Sequence, residues 1–348
     1  MELSFFLLIM VIVVVALYDF TNGFHDSADM VATAIASGAM KASVAIIIAG
    51  IFTFLGPLVM GLAVADTIGT FVDISDAQVQ SAQSLVIGAL LAAISYNLVT
   101  WKLGYPSSSS NSLAGGLVGA GLALLGNQQV NWGIEALLNG QLDGVMKVIA
   151  GLFASPFLGL LIGFLLMKLI LNLFKNFTYR IRNLFIASQY FSVAWLGFSH
   201  GANDAQKGMA IIGMMLLATG QTQSFEIPLW TILLCTTAIT LGTFFGGWSI
   251  IKTLGFEIYR VRVVHSVANQ LSASLVNTMA TLIGAPTSTT QVVTATLIGN
   301  GAAEKPRHVN WLKAKGIVTG WFLNVPISML LGALYATFIF HLFGGSHV

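Results

Sequence analysis

Charge is what this sequence has least of. Only 8% of its 348 residues are Asp, Glu, Lys or Arg, and 56% are apolar; ordinary soluble domains carry about 25% charge. A soluble globular fold is thereby excluded, and no stretch is left from which a large extramembrane enzyme module could be built. Cysteine is nearly absent too. Cys235 stands alone, so no disulfide can form within the chain and no redox signal is given. The net charge of +2 is too small to imply nucleic acid or another polyanion as a partner. The N-terminal apolar run has neither a basic n-region nor a small-residue cleavage site, so it reads as a retained helix and not as a signal peptide.

What is present describes an all-α polytopic membrane protein. A spanning helix needs about 20 apolar residues, and the chain offers ten to twelve candidate membrane segments. They cover 3–20, 28–40, 44–65, 85–101, 113–125 and 148–174, then 184–198, 209–218, 229–254, 264–283, 292–298 and 317–343. Short loops rich in Lys and Arg stay cytoplasmic. The basic loops 168–182 (with Arg180), 252–262 and 305–315 are therefore expected inside, and 66–83, 126–146 and 220–228, which hold Asp73 and Asp76 among other acids but no Lys or Arg, outside. This places a multi-pass chain in a cell (inner) membrane with both termini extracytoplasmic. The 36 glycines suggest closely packed helices and broken backbone.

Two motifs recur in the same order. TNGFHDSADMVATAI around Asp26 matches SHGANDAQKGMAII around Asp204, 178 residues on, and GYPSSSSN matches GAPTSTTQ, with Pro286 following Pro106 by 180. Between Asn97/Asn277 and Gly121/Gly301, seven of 25 aligned pairs are identical. If the aspartate motifs are breaks within single crossings, the first half (1–175) runs from outside to inside and the second (176–348) from inside to outside. The expectation is two inverted-topology repeats, with broken helices and Ser/Thr-rich helical hairpins, forming one transmembrane transport domain.

The motif residues have specific uses. Pro106 and Pro286 suit the first turn of a helix, so Ser107, Ser108, Ser109, Ser110 and Asn111, and likewise Thr287, Ser288, Thr289, Thr290 and Gln291, read as helix N-termini. Such an end presents free N–H groups and a positive dipole to an anion. The hydroxyls add donors that suit a tetrahedral oxyanion. Neither string contains Lys or Arg, which favours release. Asp26 and Asp204 are costly inside a membrane unless partnered, and mark a functional centre. With Asn22, Asn203 and unwound carbonyls near Gly23 and Gly201 they make an oxygen set suited to sodium as a metal ligand. Asp29 shares the helical face of Asp26, as a further cation ligand or a cap. Lys207 contributes a charge or snorkels, His25 and His200 read as polar packing, and Asn97 and Asn277 as hairpin-orienting residues. No nucleophile and base dyad is visible, so an intramembrane hydrolase is disfavoured; a carrier for sulfate and a passive anion channel remain as rivals.

At these residues the sequence resembles the inorganic phosphate transporter (Pit/PiT) family over essentially its whole length. GFHDSADMVATAI and GANDAQKGMAII look like its duplicated signature, GANDAQKG being closest to bacterial members, and PSSSSN and PTSTTQ look like its paired hairpin motifs. The resemblance implies a secondary active transporter, not an enzyme. It would move inorganic phosphate by alternating access in symport with a cation, sodium in some members and protons or metal-phosphate complexes in others. No cofactor is implied. Phosphate would lie on Ser107 to Asn111 and Thr287 to Gln291, with Asp26 and Asp204 linking it to the cation. The sequence departs from the family pattern at His25 and Asp29, where Asn is usual, and at Lys207, which matches Asp29; these departures bear on the coupling ion. The long central loop of animal members is absent. Oligomeric state stays open, a homodimer included.

Overall fold

The computed structural model describes residues 2–69, 78–175 and 181–344; Asp73, Asp76, Arg180 and the last four residues lie outside this set. Its helices are α1 (Glu2–Ala36), α2 (Ala42–Met60), α3 (Ala63–Gly69), α4 (Val79–Leu103), α5 (Ser109–Leu124), α6 (Ile134–Leu138) and α7 (Gly144–Leu173). They continue with α8 (Arg182–Ala218), α9 (Leu229–Phe245), α10 (Trp248–Lys252), α11 (Val263–Leu282), α12 (Thr289–Glu304) and α13 (Trp311–Leu342). Among the described residues, five helices are long and apolar enough to cross a membrane, and a sixth if α9 and the segment beyond its 61° bend form one span. Apolar side chains such as Phe157, Leu330 and Phe338 are exposed on the outer face of the bundle, as a lipid solvent allows.

The breaks expected at Gly23 and Gly201 do not occur, and this corrects the segment boundaries given above. α1 and α8 run unbroken through both motifs, for 35 and 37 residues. The glycines serve contact instead. A Cβ at Gly23 would lie 2.0 Å from the Ile239 carbonyl oxygen of α9, and one at Gly201 would lie 2.1 Å from that of Thr53 in α2. Small residues let membrane helices touch backbone to backbone, and the carbonyls near them stay within the helical ladder. Helix breaks fall elsewhere, between α2 and α3 at Gly61 (φ 80) and between α9 and α10 at Gly246 (φ 62), where a left-handed φ suits glycine.

The halves interlock. α12 packs chiefly on α7, α5 and α4 on α13, α2 on α8, and α9 on α1, each pair joining helices from opposite halves of the chain. Two hairpins, α4–α5 and α11–α12, turn at the hydroxyl strings. The first opens beside the end of α13, where Gln80 Nε2 donates to the Phe343 carbonyl at 2.7 Å, and Leu85 shares a core with Leu7 near the start of α1. The second opens at the other end of α1, where Ser266 Oγ donates to Thr33 Oγ1 at 3.0 Å and Arg262 pairs with Glu304. α5 and α12 have 16 residues each, about 24 Å at 1.5 Å per residue. That is less than the roughly 30 Å of a bilayer core, so both start in the interior.

Candidate anion and cation site

The two helix starts are capped as the sequence predicts. Ser108 Oγ accepts from Asn111 N at 3.1 Å, and Ser288 Oγ accepts from Gln291 N at 3.3 Å. Each cap satisfies one N–H of the first turn and leaves its neighbours facing the interior. Ser110 Oγ donates to the Thr287 carbonyl at 2.7 Å, so the tips of the hairpins touch across 177 residues of chain. Asn97 and Asn277 orient them. Asn97 Oδ1 accepts from Ser112, and Asn277 Nδ2 donates to Thr289 Oγ1 at 3.2 Å.

The hydroxyls at the start of α12 meet aspartates of both halves. Thr290 Oγ1, from the second half, lies 3.1 Å from Asp26 Oδ1 and 2.6 Å from Asp29 Oδ2. Thr289 Oγ1 lies 3.5 Å from Asp204 Oδ2. Lys207 Nζ donates to Asp204 Oδ1, Ser110 Oγ and the Thr287 carbonyl. A positive charge therefore does reach the hydroxyl strings, although neither contains one. Both histidines belong here and are not merely packing. His25 Nδ1 is 2.8 Å from Asp26 Oδ1 and its Nε2 is 3.2 Å from Ser107 Oγ, while His200 Nδ1 is 3.0 Å from Asp204 Oδ2.

All these groups are buried. Asp26, His200 and Asp204 each offer a ligand atom, all within 4.8 Å of one another, and so do His25, Asp26 and Asp29. Two carboxylates within 4.8 Å of one another repel by at least about 3 kcal/mol at an effective dielectric of about 20. Three acids share this centre with one ammonium and two imidazoles. Cation-ligating capacity is also to hand: Asp29 Oδ1, Gln291 Oε1 and the Oδ1 atoms of Asn22 and Asn111 are buried with no protein partner among the described residues.

Asn203 is differently placed from Asn22. Its Oδ1 accepts from Thr287 N at 3.1 Å, and its Nδ2 donates to Thr281 Oγ1 and the Ala285 carbonyl. It holds the α11–α12 turn with all of its short polar contacts. Several positioning residues have no signal in the motifs. Gln206 Oε1 accepts from Val64 N and Ala65 N at the start of α3. Asn324 of α13 donates to the Ser108 carbonyl at 2.8 Å and accepts from Ser112 and Ser328. Asp19 is buried, and a Cβ at Gly208 would meet its Oδ2 at 2.2 Å. A signal for it existed: Asp19, Asn22, Asp26 and Asp29 follow at spacings that line one face of a helix.

A buried, charged centre built where half-length helices meet inside a membrane-spanning bundle is the architecture of a transport protein. The chain belongs to the phosphate transporter family, whose model matches residues 22–332. It is 36% identical over 337 residues to a "Probable low-affinity inorganic phosphate transporter" of Bacillus subtilis (strain 168), covering 96% of this chain and 97% of that one. A protein of the same description from Rhizobium meliloti (strain 1021) is 36% identical over 334 residues, covering 95% and 96%. Among solved structures, "The sodium-dependent phosphate transporter" superimposes with a TM-score of 0.82, covering 95% of this chain and 98% of that one at 24% identity; at that identity the likeness bears on the fold. The chain is thus a phosphate transporter of the Pit family and not an enzyme.

Proposed function

We propose that this transporter is a secondary active symporter, moving inorganic phosphate together with a small cation by alternating access. The observation that carries this is the cluster of acids at the hairpin tips. Phosphate brings one or two negative charges to a place where Asp26, Asp29 and Asp204 already face one ammonium and the imidazoles of His25 and His200. A cation entering with the anion lowers the cost of burying each of them, which supports symport. Free N–H groups of the first turns of α5 and α12, with Ser107, Ser109, Ser110, Thr287, Thr289 and Thr290, hold the phosphate. Ser108 and Ser288 shape the two starts through their caps. Asp26, with Asn22 nearby on α1, serves the cation, and the hard oxygen set suits sodium.

The two halves, 1–175 and 176–348, act as inverted repeats. The opposite approach of the hairpins along α1 supports this, as does the recurrence of the helix order α1–α5 in α8–α12. In a cell membrane the basic loops would keep the Arg262 end cytoplasmic and both termini outside. The test is uptake of labelled phosphate into proteoliposomes with sodium and proton gradients imposed separately. Uptake driven by sodium alone is expected. A proton gradient acting alone would replace sodium by the proton, a requirement for divalent metal would mark metal-phosphate as the cargo, and full competition by sulfate would overturn phosphate selectivity. Downhill flux alone would overturn symport.

A further inference from the structure

The two halves present the same construction with one exchange of charge. Asp29 follows Asp26 by three residues, and Lys207 follows Asp204 by three. The matching hydroxyls are Thr290 and Ser110. In the first pocket the single O–H of Thr290 lies against two carboxylates, at 3.1 Å from Asp26 and 2.6 Å from Asp29. One hydrogen cannot serve both, and Asp29 Oδ1 has no protein partner among the described residues. His25 Nδ1, 2.8 Å from Asp26 Oδ1, adds a contact to Asp26 and none to Asp29, so this pocket still has an oxygen to spare.

The second pocket is the reverse. Ser110 gives its hydrogen to the Thr287 carbonyl, which turns its oxygen toward Lys207. An ammonium has three donors, and those of Lys207 are matched by Asp204, Ser110 and Thr287, two side-chain oxygens and one carbonyl. An anionic oxygen, a hydroxyl and a backbone carbonyl are also what a bound sodium would take. Lys207 is 1% exposed, so its charge is fixed in place and does not exchange with solvent.

We infer, on the symport reading above, that the Lys207 ammonium is a tethered substitute for one of two symmetry-related cations. The chain then has one exchangeable monovalent cation site, at Asp26, Asp29 and Thr290, and carries one such cation fewer per cycle than a transporter with acids at both positions. The second pocket's charge stays with the protein in both directions of transport.

Equilibrium binding of 22Na+ to the purified, detergent-solubilised full chain reads this without transport. The wild type should saturate at one sodium per chain, Asp29→Asn should bind at least tenfold more weakly, and Lys207→Asn should saturate at two. Thermal unfolding gives a second reading. Lys207→Asn leaves Asp204 without its ammonium, so sodium should raise its unfolding midpoint more than that of the wild type. Two sodium ions on the wild type would overturn the inference, as would none, or a folded Lys207→Asn that still binds one. Should Lys207→Asn not fold, the wild-type count and its loss in Asp29→Asn decide. Failure of phosphate uptake in proteoliposomes would overturn symport while leaving this count intact.

Discussion

Replacing Asp204 by asparagine perturbs the buried charge balance while keeping the shape of the side chain. Lys207 Nζ has three acceptors in the folded protein, and Asp204 is the only charged one. Both partners are at most 1% exposed, so water cannot screen what is lost. Removing one member of a buried ion pair costs roughly 3–5 kcal/mol, which raises the unfolded population by about a hundred- to several-thousandfold. Exchanging both members for neutral side chains of similar size is close to neutral. Thermal unfolding of purified protein, followed by tryptophan fluorescence, should therefore rank the wild type near Asp204→Asn/Lys207→Met, and both well above Asp204→Asn alone. A single variant that unfolds at the wild-type midpoint, or a double variant no more stable than the single, would refute the pairing.

Other outcomes follow from neighbouring contacts. Asp26 is paired with the His25 imidazole and not with an ammonium, and asparagine keeps an oxygen for that contact, so Asp26→Asn should leave the fold intact; losing one charge-assisted cation contact of about 1.5–3 kcal/mol should raise the cation concentration for half-maximal phosphate uptake about 10- to 150-fold, and an unchanged value would count against Asp26 as a cation ligand. Asn324→Leu removes one donor from the Ser108 carbonyl, one acceptor from Ser112 and the acceptor of Ser328; a loss of about 1–3 kcal/mol, seen in the unfolding midpoint together with weaker phosphate half-saturation, is expected. Gly201→Leu has no room above Thr53 and should cost at least about 1–3 kcal/mol. Gly316→Ala, with nothing within 4 Å of the added atom, should match or slightly exceed the wild type, and a similar loss in both would undo the contact argument.

The sequence carried the helix starts because their chemistry is local: a proline, a capping serine and the residue three positions on define α5 and α12. Recurrence carried the pairing of Asp26 with Asp204 and of Asn97 with Asn277. The continuity of α1 and α8 was not legible, since Gly23 and Gly201 read alone suit a break as well as a contact, and only Ile239 and Thr53 decide between them. Gln206 and Asn324 work on partners 142 and 216 residues away, a distance no motif spans. His25 and His200 fall at unmatched repeat positions, which concealed that each lies against its own half's aspartate.

On the alternating-access reading proposed above, the crossed packing of the bundle limits how the cargo can change sides. Were the halves separate lobes, they could tilt apart along the chain's midpoint. Instead α5 and α4 are seated on α13 while α12 is seated on α7, so that parting would tear each hairpin from its main support. The cheaper cut runs across the chain, with one hairpin and its long companion sliding as a piece against the other such piece. The slip plane then passes between Ser110 and Thr287, and a crosslink there would lock the carrier without touching either hairpin's own packing.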